Sequence, residues 1–400
     1  MKLMNAISGG GKIVDGALPT DQGYACIVNL EQAKQLASWQ AAFARQRRDG
    51  ELLEIIEQTI RDGFEYRYLV LADPQGQVRG IQPFFLLDQD VMAGMGPRTQ
   101  KLVRCIRVIF PRLLMLRTLM VGSPIGEGQL GASDVDLEWY ARALRAALGP
   151  CAKKCGASLV ALKEFPAQFR QSLSCFSNDG YARLPSMPYT VLELNFRDFD
   201  EYMRTRLSKT YRKDLRRKFR DAANAVPIMM EVLTDITPCI DEVYALYLQV
   251  YERSELRFEK LTAEYLCRIG QQRPERTRFF VWRQSGKAVA LSICCVHDDA
   301  LWDEYLGLDY SVALDLHLYF VTLRDLINWC CQQGLKRYYS TALGYDPKLH
   351  LKFELAPVDL YVRQTNPLLN AIFKRLARFL DPTRRDPILM RFENAGQIHG

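Results

Sequence analysis

Phe279-Phe280-Val281-Trp282-Arg283-Gln284, a Ser285-Gly286 turn, Lys287 to Val296, and Leu301 to Leu308 are three consecutive apolar and aromatic runs separated by polar breaks. Runs of this length bounded by turn residues predict three antiparallel strands. A helical pattern from about Asp315 to Gln333 follows, then a short strand at Arg337 to Thr341. A loop holding Tyr345, Lys348, His350 and Lys352 leads to a last strand from Pro357 to Arg363. Three antiparallel strands feeding a helix and then a further strand is a specific order, and the rest of the chain either supports this unit or repeats it.

The chain has 400 residues, more than one hydrophobic core usually serves, so two domains are expected. Apolar content of 48% with 25% charged residues excludes wholesale disorder. The net charge of +7 permits an anionic partner without demanding one. Eleven cysteines, an odd number with no CxxC spacing, argue against a disulfide framework and for a reducing compartment. Four scattered histidines suggest no metal site. Met1 to Asp21 lacks the apolar core of a signal peptide, and Gly9-Gly10-Gly11 marks residues 1–20 as a flexible leader. No run approaches the ~18 apolar residues that span a bilayer, so a cytoplasmic protein is expected.

In the first half, a strand at Tyr24 to Asn29 precedes helices at Leu30 to Arg47 and Leu52 to Phe64. Tyr66 to Ala72 and Val78 to Leu87 form a hairpin about Asp73-Pro74-Gln75-Gly76. An insertion, 92–117, repeats Arg98, Lys101, Arg104 and Arg107 every three residues among Val103, Ile106, Ile109 and Phe110. It reads either as a helix lying on an anionic membrane, which would make the protein membrane-associated through 98–117, or as a surface helix packed on its own domain. After a strand at Thr118 to Val121 comes a glycine-rich loop, 122–132, then a helix capped by Ser133 that carries Asp134 and Asp136 in its first turn and runs to Leu148. Glycines ahead of a helix can cradle phosphate, but Glu127, Asp134 and Asp136 oppose an anion and favour a plain loop or an acceptor-side wall. A strand at Ser158 to Lys163, a helix at Pro166 to Cys175 and an extended region broken by Pro185 and Pro188 complete this half.

Helices at Asp198 to Leu207 and Ser208 to Ala223 follow, the second strongly basic. Arg204, Arg206, Lys209, Arg212, Lys213, Arg216, Arg217, Lys218 and Arg220 face Asp214. This is either a clamp for the phosphates of RNA or of a nucleotide-bearing ligand, or a solvated helix face. Only Tyr211 and Phe219 interleave, so base stacking is not indicated. A strand at Ile228 to Thr234 and helices at Pro238 to Ser254 and Thr262 to Gln272 lead into the opening stretch.

Both halves therefore run strand, two helices, a strand meander, helix, strand, which suggests two like domains with boundaries near Phe196 and Pro227. The order resembles the GNAT acyltransferase fold. Its duplication resembles Fem-type peptidyltransferases and the CelD-like predicted N-acyltransferases of cellulose biosynthesis. Leu207 to Lys218 is similar to that group's basic helix, Tyr305-Leu306-Gly307-Leu308-Asp309 to its strand ending in glycine and an acid, and Tyr345 to Phe353 to its lysine- and aromatic-rich loop. The resemblance implies an α+β fold of two tandem GNAT-like domains, each a mixed, mostly antiparallel sheet flanked by helices. On this reading 21–196 is the first domain, 197–226 a basic connector, 227–365 the acyltransferase domain and 366–400 a helix and tail. One departure is that 309–315 lacks the glycines with which acetyl-CoA enzymes of this superfamily grip pyrophosphate.

The implied reaction is transfer of an acyl group from acyl-CoA or another acyl carrier to an amine on a small metabolite or cell-envelope precursor. Aminoacyl-tRNA is the alternative donor, and a non-catalytic module binding anionic membrane or RNA the alternative role. Acyl transfer needs a neutral amine, a polarised carbonyl and a proton donor for the leaving group. Strand alternation puts Asp303 and Tyr305 on one face and Glu304 on the other. Asp303 would take the amine proton, Tyr305 or Tyr345 would protonate the leaving group, and Lys348, His350, Lys352, Lys209, Arg212 and Arg216 would hold donor phosphate or a developing oxyanion. Packing is the competing role for Tyr305, and core positions are expected for His317, Trp302, Tyr338, Tyr339 and the paired cysteines.

Overall fold

The three apolar runs between Phe279 and Leu308 fold as antiparallel strands Thr277–Gln284, Lys287–His297 and Ala300–Leu308. The computed structural model describes residues 7–8, 12–13, 17–90, 101, 115–132, 135–224, 226–254, 257–377 and 379–400. Within it the chain divides into two compact units, Met1–Ser186 with Val358–Asp381, and Met187–Pro357 with Pro382–Gly400. Each unit is a mixed, mostly antiparallel sheet flanked by helices.

The second unit's sheet has seven strands. Ile228–Leu233, Thr277–Gln284, Lys287–His297 and Ala300–Leu308 form the antiparallel part. Arg337–Ser340 then joins Ala300–Leu308 in parallel. Parallel neighbours need a crossover, and helix Leu318–Gln332 supplies it. Its apolar residues Val321, Leu326, Ile327 and Cys330 enter a core with Phe280, Trp282, Leu301 and Tyr338. On the opposite face, helix Ile240–Arg253 comes so close that a Cβ on Gly307 would stand 2.8 Å from the Tyr247 amide nitrogen, so a glycine is required there.

The first unit's sheet has eight strands. An antiparallel run through Glu65–Ala72, Val78–Asp90 and Met115–Val121 is followed by Leu159–Pro166, parallel to the last of these. Helix Leu137–Cys155 is the crossover, burying Tyr140, Leu144, Leu148 and Cys151.

The expected domain boundaries are corrected at both ends. Strand Val358–Gln364, assigned from sequence to the second domain, pairs with Leu159–Pro166 and Ala182–Pro185 in the first unit's sheet. Strand Tyr189–Glu193, assigned to the first domain, lies between Arg337–Ser340 and Glu354–Ala356 in the second unit's sheet. Each sheet thus takes its penultimate strand from the other half of the sequence. The basic segment is not a free connector, because Phe199, Tyr202, Met203, Leu207 and Leu215 belong to the second unit's core. The tail also divides, 366–381 going to the first unit and 382–400 to the second.

Smaller differences have local causes. The expected helix from Leu30 to Arg47 is two short helices, Leu30–Lys34 and Ser38–Phe43. Asp136, not Ser133, caps helix Leu137–Cys155, accepting from the Glu138 and Trp139 amides; Ser133 and Asp134 lie outside the described residues. So does the expected basic helix of 92–117, apart from Lys101 and the strand residues Met115, Leu116 and Arg117. Within the expected leader, Ile7–Ser8 pairs with Lys12–Ile13. Every cysteine among the described residues is a free thiol.

Candidate active site in the second unit

A β-bulge sets the geometry. Ile293 is opposite Tyr305, but the next residue, Cys294, is opposite Asp303, so Glu304 is the extra residue. An inserted residue reverses the facing of everything beyond it. Asp303 and Tyr305 therefore lie on opposite faces, correcting the alternation expected from the sequence. Their neighbours agree. Asp303 meets Cys294 and Tyr338, while the Tyr305 hydroxyl donates to Glu259 at 2.5 Å and its ring stands edge-on to Tyr247.

The bulge falls where the sheet opens. Parallel pairing runs from Ala300↔Arg337 to Asp303↔Ser340 and stops. From Glu304 to Leu308 no strand among the described residues continues along that edge. The backbone from Tyr305 to Gly307 belongs to this open edge.

Polar groups collect on the Asp303 face. The Tyr338 hydroxyl donates to Asp303 Oδ2 at 2.6 Å, and the Cys294 thiol lies 3.6 Å from Oδ1. Lys348, from the short helix Tyr345–His350, is 4% exposed, and its Nζ donates to the carbonyls of Thr341 at 2.5 Å and Leu343 at 3.0 Å. Burial pushes the Asp303 carboxyl up, against the opposing pull of Tyr338, Cys294 and the Lys348 charge. Burial brings Lys348 down to about 7, with Asp303 acting in the other direction. Tyr319, on the crossover helix, is pushed up by burial and by the Asp303 charge. Two titratable groups of opposite sign with values drawn toward neutrality are what proton transfer near pH 7 requires.

The remaining expected site residues are dispersed. Tyr345 is buried, and its hydroxyl donates to the Pro188 carbonyl at 2.8 Å. The Tyr305 hydroxyl is committed to Glu259. Neither phenol is poised as a proton donor. His350 stacks on Tyr211 at 5.4 Å between centroids, which joins the lysine loop to the basic helix Lys209–Ala223. Lys352 pairs with Glu393 at 3.0 Å at the surface. On the basic helix, Lys209 and Arg216 are exposed and Arg212 donates to the Arg204 carbonyl. Arg217 and Lys218 pair with Asp214, and the Lys218 ammonium sits 4.1 Å from the Phe320 ring centroid. His317 is half-buried, 3.8 Å from Asp221. Trp302 and Tyr339 stack on each other at 3.8 Å.

Tyr338 and Cys294 were read from the sequence as core. Both are buried, yet both touch the Asp303 carboxylate. Their sheet register with residues 301–303 is the signal that identifies them, and register is a long-range property absent from local pattern.

The turn after strand Ala300–Leu308 offers no ready phosphate cradle. Asp309 Oδ1 accepts from the Ser311 amide and hydroxyl, its carbonyl accepts from the Val312 and Ala313 amides, and Oδ2 pairs with Lys287. The glycine loop of the first unit is likewise turned inward. The Gly122 amide donates to Pro83, Gly128 to Glu164 and Gly131 to Gln82. Glu127 lies between Arg47 and Arg48. Burial would raise its carboxyl, but the two guanidinium groups hold it well below the usual carboxylate range. This supports a plain loop over a phosphate cradle. Among the described residues no three His, Cys, Asp or Glu side chains gather as metal ligands would, and no helix is long and apolar enough to cross a membrane.

Comparison with known proteins agrees with this architecture. No curated protein matches the chain in sequence. FemX aligns over 88% of this chain and 99% of its own, at 9% identity and a TM-score of 0.52. The C-terminal domain of a putative lysylphosphatidylglycerol synthetase from Agrobacterium fabrum aligns over 88% and 96%, at 11% identity and a TM-score of 0.50. A tandem GNAT protein from the clavulanic acid biosynthesis pathway covers 86% and 98%, at 14% identity and a TM-score of 0.47. The FemAB-like family, described by peptidoglycan biosynthesis/recognition, matches residues 123–379. With two units of the GNAT-like order and a family match over more than half its length, the chain belongs to the FemAB-like family.

Proposed function

We propose that the second unit transfers an acyl or aminoacyl group from a carrier to an amine acceptor, on an envelope precursor or a small metabolite. The observation that carries this reading is the Asp303–Tyr338–Lys348 constellation at the point where the parallel strands part. The acceptor nitrogen would attack the acyl carbon, forming the C–N bond as the C–S or C–O bond to the carrier breaks. Asp303 accepts the amine proton, held in place by Tyr338. Lys348 has two of its ammonium protons on backbone carbonyls and a third to give, and it protonates the departing thiolate or ribose oxygen. Transfer of the proton from Asp303 to Lys348 restores both groups.

Two observations favour an aminoacyl-tRNA over an acyl-CoA as donor. The amides of 311–313 are already bonded to Asp309, and Lys209, Lys213, Arg216 and Arg220 are exposed along one short helix. Backbone amides suit a compact pyrophosphate, whereas spread cationic side chains suit a polyanion. The test is product formation by the purified chain with charged tRNA or with acyl-CoA as sole donor, each with and without Lys348→Met. Turnover with charged tRNA that collapses in the variant supports the reading. Binding of either carrier with no transfer to any amine, unaffected by Lys348→Met, would support a non-catalytic module instead.

A further inference from the structure

Helix Pro367–Ala377 in the first unit carries its apolar residues the wrong way round for a helix on a sheet. Its inner contacts are made by Asn370, Phe373 and Ala377. Asn370 anchors it, donating to the Gly180 carbonyl at 2.9 Å and accepting from the Gln364 amide at 3.0 Å. Asn366 caps its first turn through the Leu368 and Leu369 amides. The large aliphatic side chains point to solvent. Leu368 is 78% exposed, Ile372 56% and Leu376 51%, with Leu369 beside them and Phe379 and Leu380 on the turn that follows. At 100° per residue, 368, 372, 376 and 369 fill one continuous arc of about 100°. Among the described residues of the helix, packing is made by the neighbouring arc of 373, 377 and 370. A soluble surface seldom leaves so many large apolar groups together without a purpose.

Charge selects the occupant. Lys374 lies on the side opposite this arc and Arg375 at its edge, about 20° from Leu368 on the helical wheel; both are exposed, and residues 367–377 include no acid. A second copy docked through this face would bring the Arg375 residues to the rim of the same contact with no carboxylate on the helix to pair them. An anionic lipid surface satisfies both halves, with the apolar arc among the acyl chains and the cations among the headgroups. We propose that helix Pro367–Ala377, with the turn through Leu380, is an in-plane anchor that seats the first unit on an anionic membrane. The anchor is drawn from this helix and turn alone and stands independently of the reaction proposed for the second unit.

The test is co-sedimentation of the full chain with vesicles of phosphatidylcholine alone and with about one quarter phosphatidylglycerol. Binding is expected to the anionic vesicles and to weaken with salt. Leu368→Asp/Ile372→Asp/Leu376→Asp should lower the partition coefficient at least about tenfold, with an unchanged melting temperature because the three side chains are exposed. The single variant Leu368→Asp serves if the triple variant does not fold. Lys374→Glu/Arg375→Glu should abolish the preference for phosphatidylglycerol. Equal binding by wild type and the aspartate variants would overturn the proposal, as would no vesicle binding by the wild type. So would a wild-type dimer, seen by light scattering, that the aspartate variants convert to monomer with no lipid binding in either.

Discussion

The Tyr338 hydroxyl reaches Asp303 Oδ2 at 2.6 Å across a parallel strand pair in which Tyr338 is registered with Leu301, two residues earlier. The contact is diagonal, within reach of a long aromatic side chain. It stabilises the ionised carboxylate in a buried setting that would otherwise favour the neutral acid. The same pair of strands separates immediately afterwards, so the oriented carboxylate stands at the mouth of the opening.

Tyr338→Phe removes one donor from the Asp303 carboxylate and leaves the cavity filled. A charge-assisted hydrogen bond lost in a buried setting costs about 1.5–3 kcal/mol, readable in urea denaturation. Without that donor the Asp303 carboxyl rises further, so the acid limb of the pH–rate profile should move to higher pH, with the rate at neutral pH down about 10- to 100-fold. An unmoved acid limb would show that Asp303 is not the base.

In the proposed reaction Lys348 sets the alkaline limb of the pH–rate profile. Its folded value of about 7 lies below the usual 10.5, so the unfolded chain holds the proton over this interval and the native chain does not. Stability should therefore rise with pH between about 7 and the ordinary lysine range, and Lys348→Met should flatten that rise. If the protonated amine is the donor, the rate falls as pH passes about 7. Lys348→Arg, which stays charged, should carry the limb upward, whereas Lys348→Met should cost at least about 100-fold in rate. Melts and initial rates over the same pH series decide both points.

Glu127→Gln leaves Arg47 and Arg48, 6% and 2% exposed, without the carboxylate between them. Breaking a buried pair by removing one partner costs about 3–5 kcal/mol, read from chemical denaturation. In the wild type this contribution is present above the ordinary glutamate range and is lost only as pH falls through the depressed folded value. The substitution lies in the first unit, so activity of the folded variant should be largely retained.

Lys209→Ala and Arg216→Ala test the basic helix. Both side chains are exposed, so the fold should be untouched. If they contact phosphates of a tRNA donor, each should weaken binding and reduce the slope of log affinity against log salt by about 1. A parallel loss with an uncharged control RNA is expected, since phosphate contacts carry no sequence information. An unchanged slope would assign this helix a solvated role.

Much of the fold was legible in the sequence because local rules govern its elements. The three apolar runs became the three strands, and the helices expected to start at Asp198, Ser208 and Thr262 do start there, with those residues as N-caps. Asp303 and Lys348 could be named from the sequence as polar groups on a central strand and on the loop after the next strand, and in the structure the Asp303 charge acts on Lys348. Tyr338 and Cys294 were not, since a tyrosine or a cysteine inside an apolar strand looks the same whether it faces packing or a carboxylate. The inner-bonded turn at Asp309 was half legible. The missing glycines showed that the usual grip was absent, but only the hydrogen bonds show that the amides are already taken.

The sequence by itself determined which segments become strands and helices, their order, the duplication of that order and the concentration of positive charge on one helix. These follow from side-chain periodicity, capping and turn chemistry, all of which act within a few residues. Tertiary structure alone decided that one extra residue at Glu304 sends Asp303 and Tyr305 to opposite faces, and that Val358–Gln364 and Tyr189–Glu193 each complete a sheet begun in the other half of the chain. Both depend on which backbone edges pair across long sequence separations. That choice is made by competition among whole strands for hydrogen-bonding partners and buried faces, so no short window of sequence contains it.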